Sequence, residues 1–545
     1  MADILNIGVS GLRAAQRALS TTGHNISNVN TPGYTRQRVD LSARQDQTIG
    51  GLTLGRGVNV DQVSRIMNQF LSSNVQTSAT NVGTVASYNT YSSQVDKILA
   101  NEATGLSPSM QDFFNSVNAL ADDPSSLPTR QAMIGSAETL SAKFNSLYAI
   151  VDQFDESVDQ ELQAKVSEIN SLAANIAEIN DRLARVNGSS GNSGSNSLND
   201  QLDKAVTELS SLIGINTYAE ASGGLNITTK SGQVLVSGAS SSQFSTQADP
   251  LNPSKLDVTY SVSGSNVVIT DTIKTGELGG LLNVRTDVLD KARSSLGRMA
   301  AGIALSFNTQ QAAGRDLNGV AGGDLFSITP APAAQGEGTV TGAMTVAFNP
   351  TQVTQLTTSD YRITFDGTDY ISTRLSDNTQ TNLGTGPALA VDGLSITVTT
   401  GASTTDSFLI QPTRSIAGQI STTITDPAEI AAAANPFTGV GDNTNALAMA
   451  DFQLSKTLDG GNSTFNDANS LLIGDLGTKS RQAKNSLEAM QAVEQSAIEA
   501  RDNVSGVNLD EEAADMLKFQ QAYQAAARMI SVGNELFGTL LQAVR

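Results

Sequence analysis

The sequence predicts a multidomain α+β protein: a helical, coiled-coil-like core built from both halves of the chain, with two inserted mainly-β domains. Three observations carry this reading. Apolar residues recur at helical spacing at both chain ends and through a long central stretch. Proline is absent between Gly33 and Ser107, between Thr129 and Asp249, and after Pro436, which frees these stretches of the residue that breaks helix interiors. Between them lie segments of alternating β-branched residues with turn signals. A chain of 545 residues suits about three or four domains.

The N-terminal stripe is Leu5, Gly8, Leu12, Ala15, Leu19, Thr22, Ile26 and Val29, whose three- and four-residue steps trace one helix face. The helix should stop near Asn28. Pro32 pushes Thr31 out of helical conformation, and Pro32-Gly33 fits the centre of a type II turn. Gly55 to Val60 reads as a short extended piece, followed by a helix through Ile66, Phe70 and Val75. The strongest helical signal runs from Arg130 to Asn187, with a stripe from Leu140 through Phe144, Leu147, Val151, Phe154, Val158 and Leu162 to Val186. A Gly/Ser/Asn loop from Gly188 to Ser197 ends it, and a helix through Leu202, Val206, Leu209 and Ile213 returns antiparallel. A hairpin follows around Ser231-Gly232, then alternating Leu256 to Val262, a turn at Ser263 to Asn266, and Val267 to Ile269. Helix resumes with Leu282, Leu289, Leu296 and Ile303 at seven-residue spacing. A longer β region spans about Phe326 to Pro436, with its clearest hairpin from Tyr361 to Tyr370 around Asp366-Gly367. After Asn445 the pattern is helical to the end.

This order implies nested domains with both ends at one pole: residues 1–40 with 504–545 as a terminal helical assembly domain; 41–215 with 277–325 and 440–503 as a helical framework; 216–276 and 326–439 as the smaller and larger β insertions. The C-terminal helix has a marked start. Asn508 fits the N-cap with Glu511 closing a capping box, and Asp510, Glu511 and Glu512 sit where the helix dipole favours negative charge. Its stripe reads Leu509, Ala513, Met516, Gln520, Tyr523, Ala527, Ile530, Asn534, Phe537 and Leu541, placing two polar residues, Gln520 and Asn534, in the seam. Each end alone is a marginal helix that needs a partner. Small residues such as Ala14, Ala15, Ala18, Ala525, Ala526 and Ala527 permit a close one.

Composition excludes much. The formal charge is −20, which repels a phosphate backbone, so no nucleic acid is expected. No apolar run suits a membrane span, and the first twenty residues lack the pattern of a cleaved secretory signal. There is no Cys and one His, His24; disulfides, thiolate chemistry and His-rich metal sites are ruled out. A Ser-His-Asp triad would have to use His24 on a predicted helix. Gly55-Arg56-Gly57 lacks the third glycine of a nucleotide loop. Asp316-Leu317-Asn318-Gly319 lacks the ligand set of a calcium loop and reads as a turn. Asp152, Asp155, Glu156 and Asp159 read as a solvated helix face rather than a glycosidase pair. Met516 and Tyr523 read as helix contacts rather than a ligand groove. No enzyme, cofactor or metal is expected.

Two motifs at the extremes carry a resemblance. Leu12-x-Ala14, Leu19 and Gly23-His24-Asn25-Ile26-Ser27-Asn28-Val29-Asn30-Thr31-Pro32-Gly33-Tyr34 resemble the N-terminal signature of the bacterial flagellar rod, hook and hook-associated axial proteins, with His24 where many members carry Asn. Ser505-Gly506-Val507-Asn508, Glu511-Glu512, Met516 and Gln520 to Arg528 resemble that family's C-terminal signature. Gly276 to Arg285, Phe307-Asn308 and Gly314 to Gly319 resemble its hook-associated branch. The resemblance implies a structural subunit of the hook–filament junction. Its terminal helices line the inner tube, and its β domains face outward. Stripe and motif together nominate subunit-assembly residues: Leu5, Leu12, Leu19, Asn25, Ile26, Asn28, Thr31, Pro32, Gly33 and Tyr34 at the start, and Gly506, Val507, Glu511, Glu512, Met516, Gln520, Tyr523 and Ile530 at the end. The implied partners are further copies in a ring, the hook protein, the next hook-associated junction protein, and an export chaperone before assembly. The implied location is the extracellular flagellum, after export of the unfolded chain through a type III channel; mobile ends then order against neighbours. A distal rod or hook subunit is the second reading, and a secreted enzyme or adhesin the third.

Overall fold

A computed structural model describes residues 2–49, 52–101, 104–188, 195–221, 223–252, 255–262, 264–328, 335–336, 342–404 and 406–543. Helix α1 is Ala2–Ser27, ending beside the expected stop. Strands β1 (Gln37–Ala43), β2 (Gln47–Ile49), β3 (Leu52–Leu54) and β4 (Val58–Arg65) follow. β1 pairs antiparallel with β4, with a register shift between Asp40 and Leu41, and both strands pack on α1. Packing therefore carries the terminal unit on to Arg65, past the boundary at residue 40. The β1 strand was not legible because its apolar positions are few.

The framework is α2 (Gln69–Leu99), α3 (Leu106–Asp122), α4 (Leu127–Gly188), α5 (Ser195–Leu212), α6 (Gly276–Val284), α7 (Asp290–Ala313), α8 (Thr444–Ala450) and α9 (Phe465–Ser505). α10, Leu509–Ala543, closes the chain. α4 has 62 residues, about 93 Å at 1.5 Å per residue. Its stripe is buried from Leu140 through Phe144, Leu162 and Ile176 to Leu183. α2 lies along α9 and α6, and α3 and α5 pack on α4. The loop expected from Gly188 to Ser197 lies partly outside the described residues. The helix through Leu282 to Ile303 is not uniform: Arg285–Leu289 forms a π turn between α6 and α7, yet all four seven-spaced residues are buried. The C-terminal region is not continuous helix either. Residues 451–464 interrupt it, and Thr464 restarts it with a full capping box to Asp467.

The smaller β unit is a four-stranded sheet (Ile215–Ala219, Leu225–Thr229, Val234–Ser237, Ser240–Ser241) beside a three-stranded one (Phe244–Ala248, Leu256–Val262, Ser265–Val268). Of the turn expected at Ser263 to Asn266, Ser263 lies outside the described residues. Two asparagines on α4 tie the sheets down by mimicking a strand partner. Asn170 Nδ2 donates to the Phe244 carbonyl at 2.8 Å and its Oδ1 accepts from Phe244 N at 2.9 Å. Asn180 does the same with Leu225, at 2.8 and 3.0 Å. The larger β unit pairs a five-stranded sheet with a three-stranded sheet of order 343–348, 394–400, 388–391. The expected hairpin forms, with Phe365 opposite Tyr370.

The carboxylates of α4 correct one expectation. Glu156 is exposed, but Asp155 and Asp159 are buried. Asp155 accepts from Arg285 at 3.0 Å and Arg293 at 2.8 Å, while Asp159 pairs with Arg285 and Asp152 with Arg293. The network continues through Asp290, which binds Lys255 of the smaller β unit at 2.5 Å and Arg414 of the larger at 2.7 Å. Arg414 also holds Asp360 at 2.7 Å. The arginine partners of Asp152, Asp155 and Asp159 come from residues more than a hundred positions away, so helical spacing alone could not reveal them.

Burial pushes the Asp290 carboxyl up, but Lys255 and Arg414 outweigh it and hold it below the usual carboxylate range. A depressed folded-state pKa contributes stability above the ordinary value of about 3.9 and loses it as pH falls through the folded value. Asp159 has the opposite sign, because burial raises it despite Arg285. Asp290→Asn leaves Lys255 buried without its carboxylate, at a cost of about 3–5 kcal/mol near neutral pH. In denaturant titrations the gap between parent and Asp290→Asn should be wide at neutral pH and narrow below about pH 4. A gap independent of pH would refute the assignment.

Candidate assembly site at the joined chain ends

α1 and α10 pack antiparallel along their length. A Cβ built on Gly8 would lie 2.9 Å from Ile530 Cγ1, one on Gly11 3.6 Å from Ala526 Cβ, and one on Gly533 2.9 Å from Leu5 Cδ2. Glycine and alanine thus set the closeness of the pair. Gly8, Ala14, Ala15, Ala18 and Thr22 are buried on α1, and Ala526 and Gly533 on α10. Leu5, Leu12, Leu19 and Ile26 are only half-buried, flanking the seam.

The seam of α10 is Glu512, Phe519, Ala526 and Gly533, seven residues apart, together with the half-buried Met516 and Ile530. This shifts half of the expected stripe by one residue. Gln520 and Asn534 face solvent rather than the seam, and Tyr523 is 38% exposed. The side chain of Leu541 lies outside what is described. Apolar weight misled the reading here, because the closest contacts belong to residues with almost no side chain.

At the α1 C-terminus a polar hub joins three segments. Asn25, 2% exposed, pairs with Gln37 as a strand would: its Nδ2 donates to the Gln37 carbonyl at 2.9 Å and its Oδ1 accepts from Gln37 N at 3.0 Å. Asn25 Oδ1 also accepts from the Tyr34 hydroxyl at 2.7 Å, and Nδ2 donates to Glu512 Oε2 at 3.0 Å. Glu512, also 2% exposed, takes its second partner from Arg36 Nε at 2.7 Å. Arg36 Nη1 reaches Glu511 at 2.6 Å. The capping box therefore stays half-made: Asn508 Oδ1 accepts from Asp510 N at 3.0 Å, while Glu511 turns to Arg36. Burial works against the Arg36 charge, but Glu511 and Glu512 outweigh it and raise its pKa. Burial pushes the Tyr34 hydroxyl above the ordinary phenol range, and Asp200 and Glu512 add to it, so the phenol remains a donor to Asn25.

The turn that makes this possible forms as expected. Thr31 O accepts from Tyr34 N at 3.1 Å, Pro32 sits at its second position and Gly33 adopts φ 81°, the region a type II turn needs. Asn28 steadies its entry, accepting from Thr31 Oγ1 at 3.2 Å and donating to the His24 carbonyl at 2.9 Å. His24 is exposed and meets the Tyr34 ring edge-on at 5.6 Å. On the far side, Gly506 N donates to Asp502 O at 2.7 Å, and Arg36 N donates to Ser505 O at 2.8 Å. Gly506 and Val507 are half-buried in the link between α9 and α10. Arg36 is the hub residue the sequence reading missed. A cation two residues after the turn, with Glu511-Glu512 at the opposite motif, was the available signal.

One face of the pair remains open. Ile4, Ala525, Met529, Val532 and Leu536 line a groove of about 530 Å³ with polar residues at its rim. Val532 is 53% exposed and Leu536 47%.

Comparisons with known proteins follow the same division. Residues 5–35 match the family model "Flagella basal body rod protein" and 500–543 match "Flagellar basal body rod FlgEFG protein C-terminal". Residues 92–326 match "Flagellar hook-associated protein FlgK helical domain" and 334–412 match "Flagellar hook-associated protein 1, D2-like domain". The chain is 35% identical to flagellar hook-associated protein 1 of Salmonella typhimurium over 553 residues, covering 99% of this chain and 100% of that protein. It is 34% identical to the Escherichia coli protein of the same name over 546 residues, with 99% and 100% covered. Among solved structures, the fold is similar to the flagellar hook junction protein FlgK from Burkholderia pseudomallei, at a TM-score of 0.73 and 23% identity, covering 79% of this chain and 100% of that one.

Gly8→Val would place branched carbons where Ile530 already sits. Because each terminal helix is the other's partner, both ends should become protease-sensitive together, with α4 still protected in hydrogen exchange. Loss of protection at the N-terminus alone would contradict the mutual packing.

Proposed function

The chain belongs to the flagellar hook-associated protein 1 family and is a structural subunit of the hook–filament junction, and we propose that it enters that junction through its paired terminal helices. The observation that supports this reading is the α1–α10 pair. The two ends, matched separately by rod-protein family models, pack on each other and still leave an apolar groove open to solvent.

Contiguous exposed apolar surface marks an interaction site. In this reading each end supplies the other's partner inside one subunit. The outward groove, with Met529, Val532 and Leu536 on its α10 side, then takes a helix from a neighbouring copy. Assembly buries what folding alone leaves exposed. The hub at Asn25 and Glu512 keeps the pair in one register, so every copy presents the same face. Leu12, Leu19, Gln520 and Tyr523 lie outside the tightest contacts and are available to neighbours.

The partners in this proposal are further copies in a ring, the hook protein on one side, the next hook-associated junction protein on the other, and an export chaperone before assembly. The site of action is extracellular, reached through the flagellar export channel. No catalytic role is proposed: the residues that draw together do so as ion pairs and hydrogen bonds that hold helices. The hook-associated models over 92–326 and 334–412 favour this reading over a rod or hook subunit.

Val532→Asp with Leu536→Asp should leave the monomer's circular dichroism unchanged. The same variant should fail to complement a strain lacking the protein, with hooks that carry no attached filament in electron micrographs. Labelled parent protein should mark the hook tip. Firm filament attachment by the double variant would refute the groove as the assembly face.

A further inference from the structure

The terminal unit and the framework meet across a narrow neck. Among the described residues, no framework helix or strand runs alongside α1, α10, β1 or β4. The chain crosses between the two bodies at 66–68 and again at 506–508. Neither link carries regular structure, so both are free to absorb a change of angle.

Beside the second link Arg36 N donates to the carbonyl of Ser505, the last residue of α9; elsewhere the neck is spanned by a short row of contacts on one face of α5. Asn196, Asp200, Asp203 and Lys204 share that face at three-, four- and seven-residue spacing. Asn196 Nδ2 donates to the Val63 carbonyl at 2.8 Å. Arg65, at the last position of β4 and with 9% of its side chain exposed, places Nη1 2.8 Å from Asp200 and 2.7 Å from Asp203. The Gly33 turn approaches the Lys204 stem. Apart from that last one, these contacts are polar and directional. The interior of the framework is held by apolar packing instead.

We infer that Arg65, held between Asp200 and Asp203, is a latch that fixes the angle of the terminal unit on the framework, and that opening it lets the terminal unit swing about the two links. An ion pair suits this role. It fixes one orientation through geometry, yet its loss removes no apolar core from either body. The surface of α5 then acts as the framework's docking platform for the β1–β4 hairpin. The latch acts in the free subunit, whichever face of the terminal pair meets neighbours.

The chain has no cysteine, so Ser20→Cys on α1 and Ser171→Cys on α4 give a clean spin-labelled pair in the full-length protein. Double electron–electron resonance on the parent should give one narrow distance peak. Arg65→Ala and, from the other side, Asp200→Asn with Asp203→Asn should broaden it and add a second population. Arg65→Lys should fall between, because an ammonium lacks the guanidinium fork. Arg38→Ala, which removes an exposed pair with Asp40, should leave the peak unchanged. Distributions in the Arg65 and double-Asn variants that superimpose on the parent's would overturn the latch. So would equal broadening by Arg38→Ala, or loss of framework helicity in both latch variants, which would make these residues determinants of the fold.

Discussion

A carboxylate taken almost wholly out of water governs how the two ends of this chain meet. Glu512 is tolerable where it sits only because Arg36 and Asn25 both donate to it. Those donors arrive from different segments. Asn25 closes the last turns of α1, and Arg36 follows the reversal at Pro32-Gly33. The turn must therefore fold tightly enough to bring Gln37 back beside Asn25, and α10 must lie in the one register that puts Glu512 between them. Shifting the pair by a residue would leave a buried charge without partners, which costs several kcal/mol, on the order of 3–5. Small side chains set how close the helices come; the hub sets where along each other they stop.

The same division between closeness and register recurs in the framework. The apolar stripe of α4 supplies the burial that holds the helices together. Asn170 and Asn180 then fix which edges of the smaller β unit meet the helix, and the Asp155–Arg285–Arg293 network fixes how α7 lies against it. Hydrophobic burial is large and non-directional, so it cannot by itself choose a pose. Buried polar groups are costly unless satisfied, so each pose that satisfies them stands apart from its neighbours. Arg414 and Lys255, meeting at Asp290, carry this logic across three parts of the chain at once.

Mechanically the subunit is two bodies with different glue. The framework and its β units share a continuous apolar core. The terminal pair has a thin seam of glycine and alanine, an open apolar groove and a polar neck. In the proposed assembly, folding stability is concentrated away from the groove offered to neighbours, and that end is completed by contacts that a single copy lacks.

Much of this was legible in the sequence because it rests on local pattern. Helical spacing placed α1, α4, α5, α7 and α10, proline marked the end of α1 and the start of α4, and Pro32-Gly33 announced its turn, since each follows from steric preferences of neighbouring residues. The end motifs named Asn25, Tyr34 and Glu512 as positions that matter. What only the tertiary structure decided was who faces whom. The α10 seam moved to Ala526 and Gly533 because close approach favours the smallest side chains, which carry the weakest hydrophobic signal. The burial of Asp155 and Asp159 was hidden from local pattern because their arginines lie some hundred and thirty residues away. Arg36 became the hub's cation because a residue outside any periodic stripe is placed by the turn before it. Pairing across such distances is set by three-dimensional packing, and no spacing along the chain encodes it.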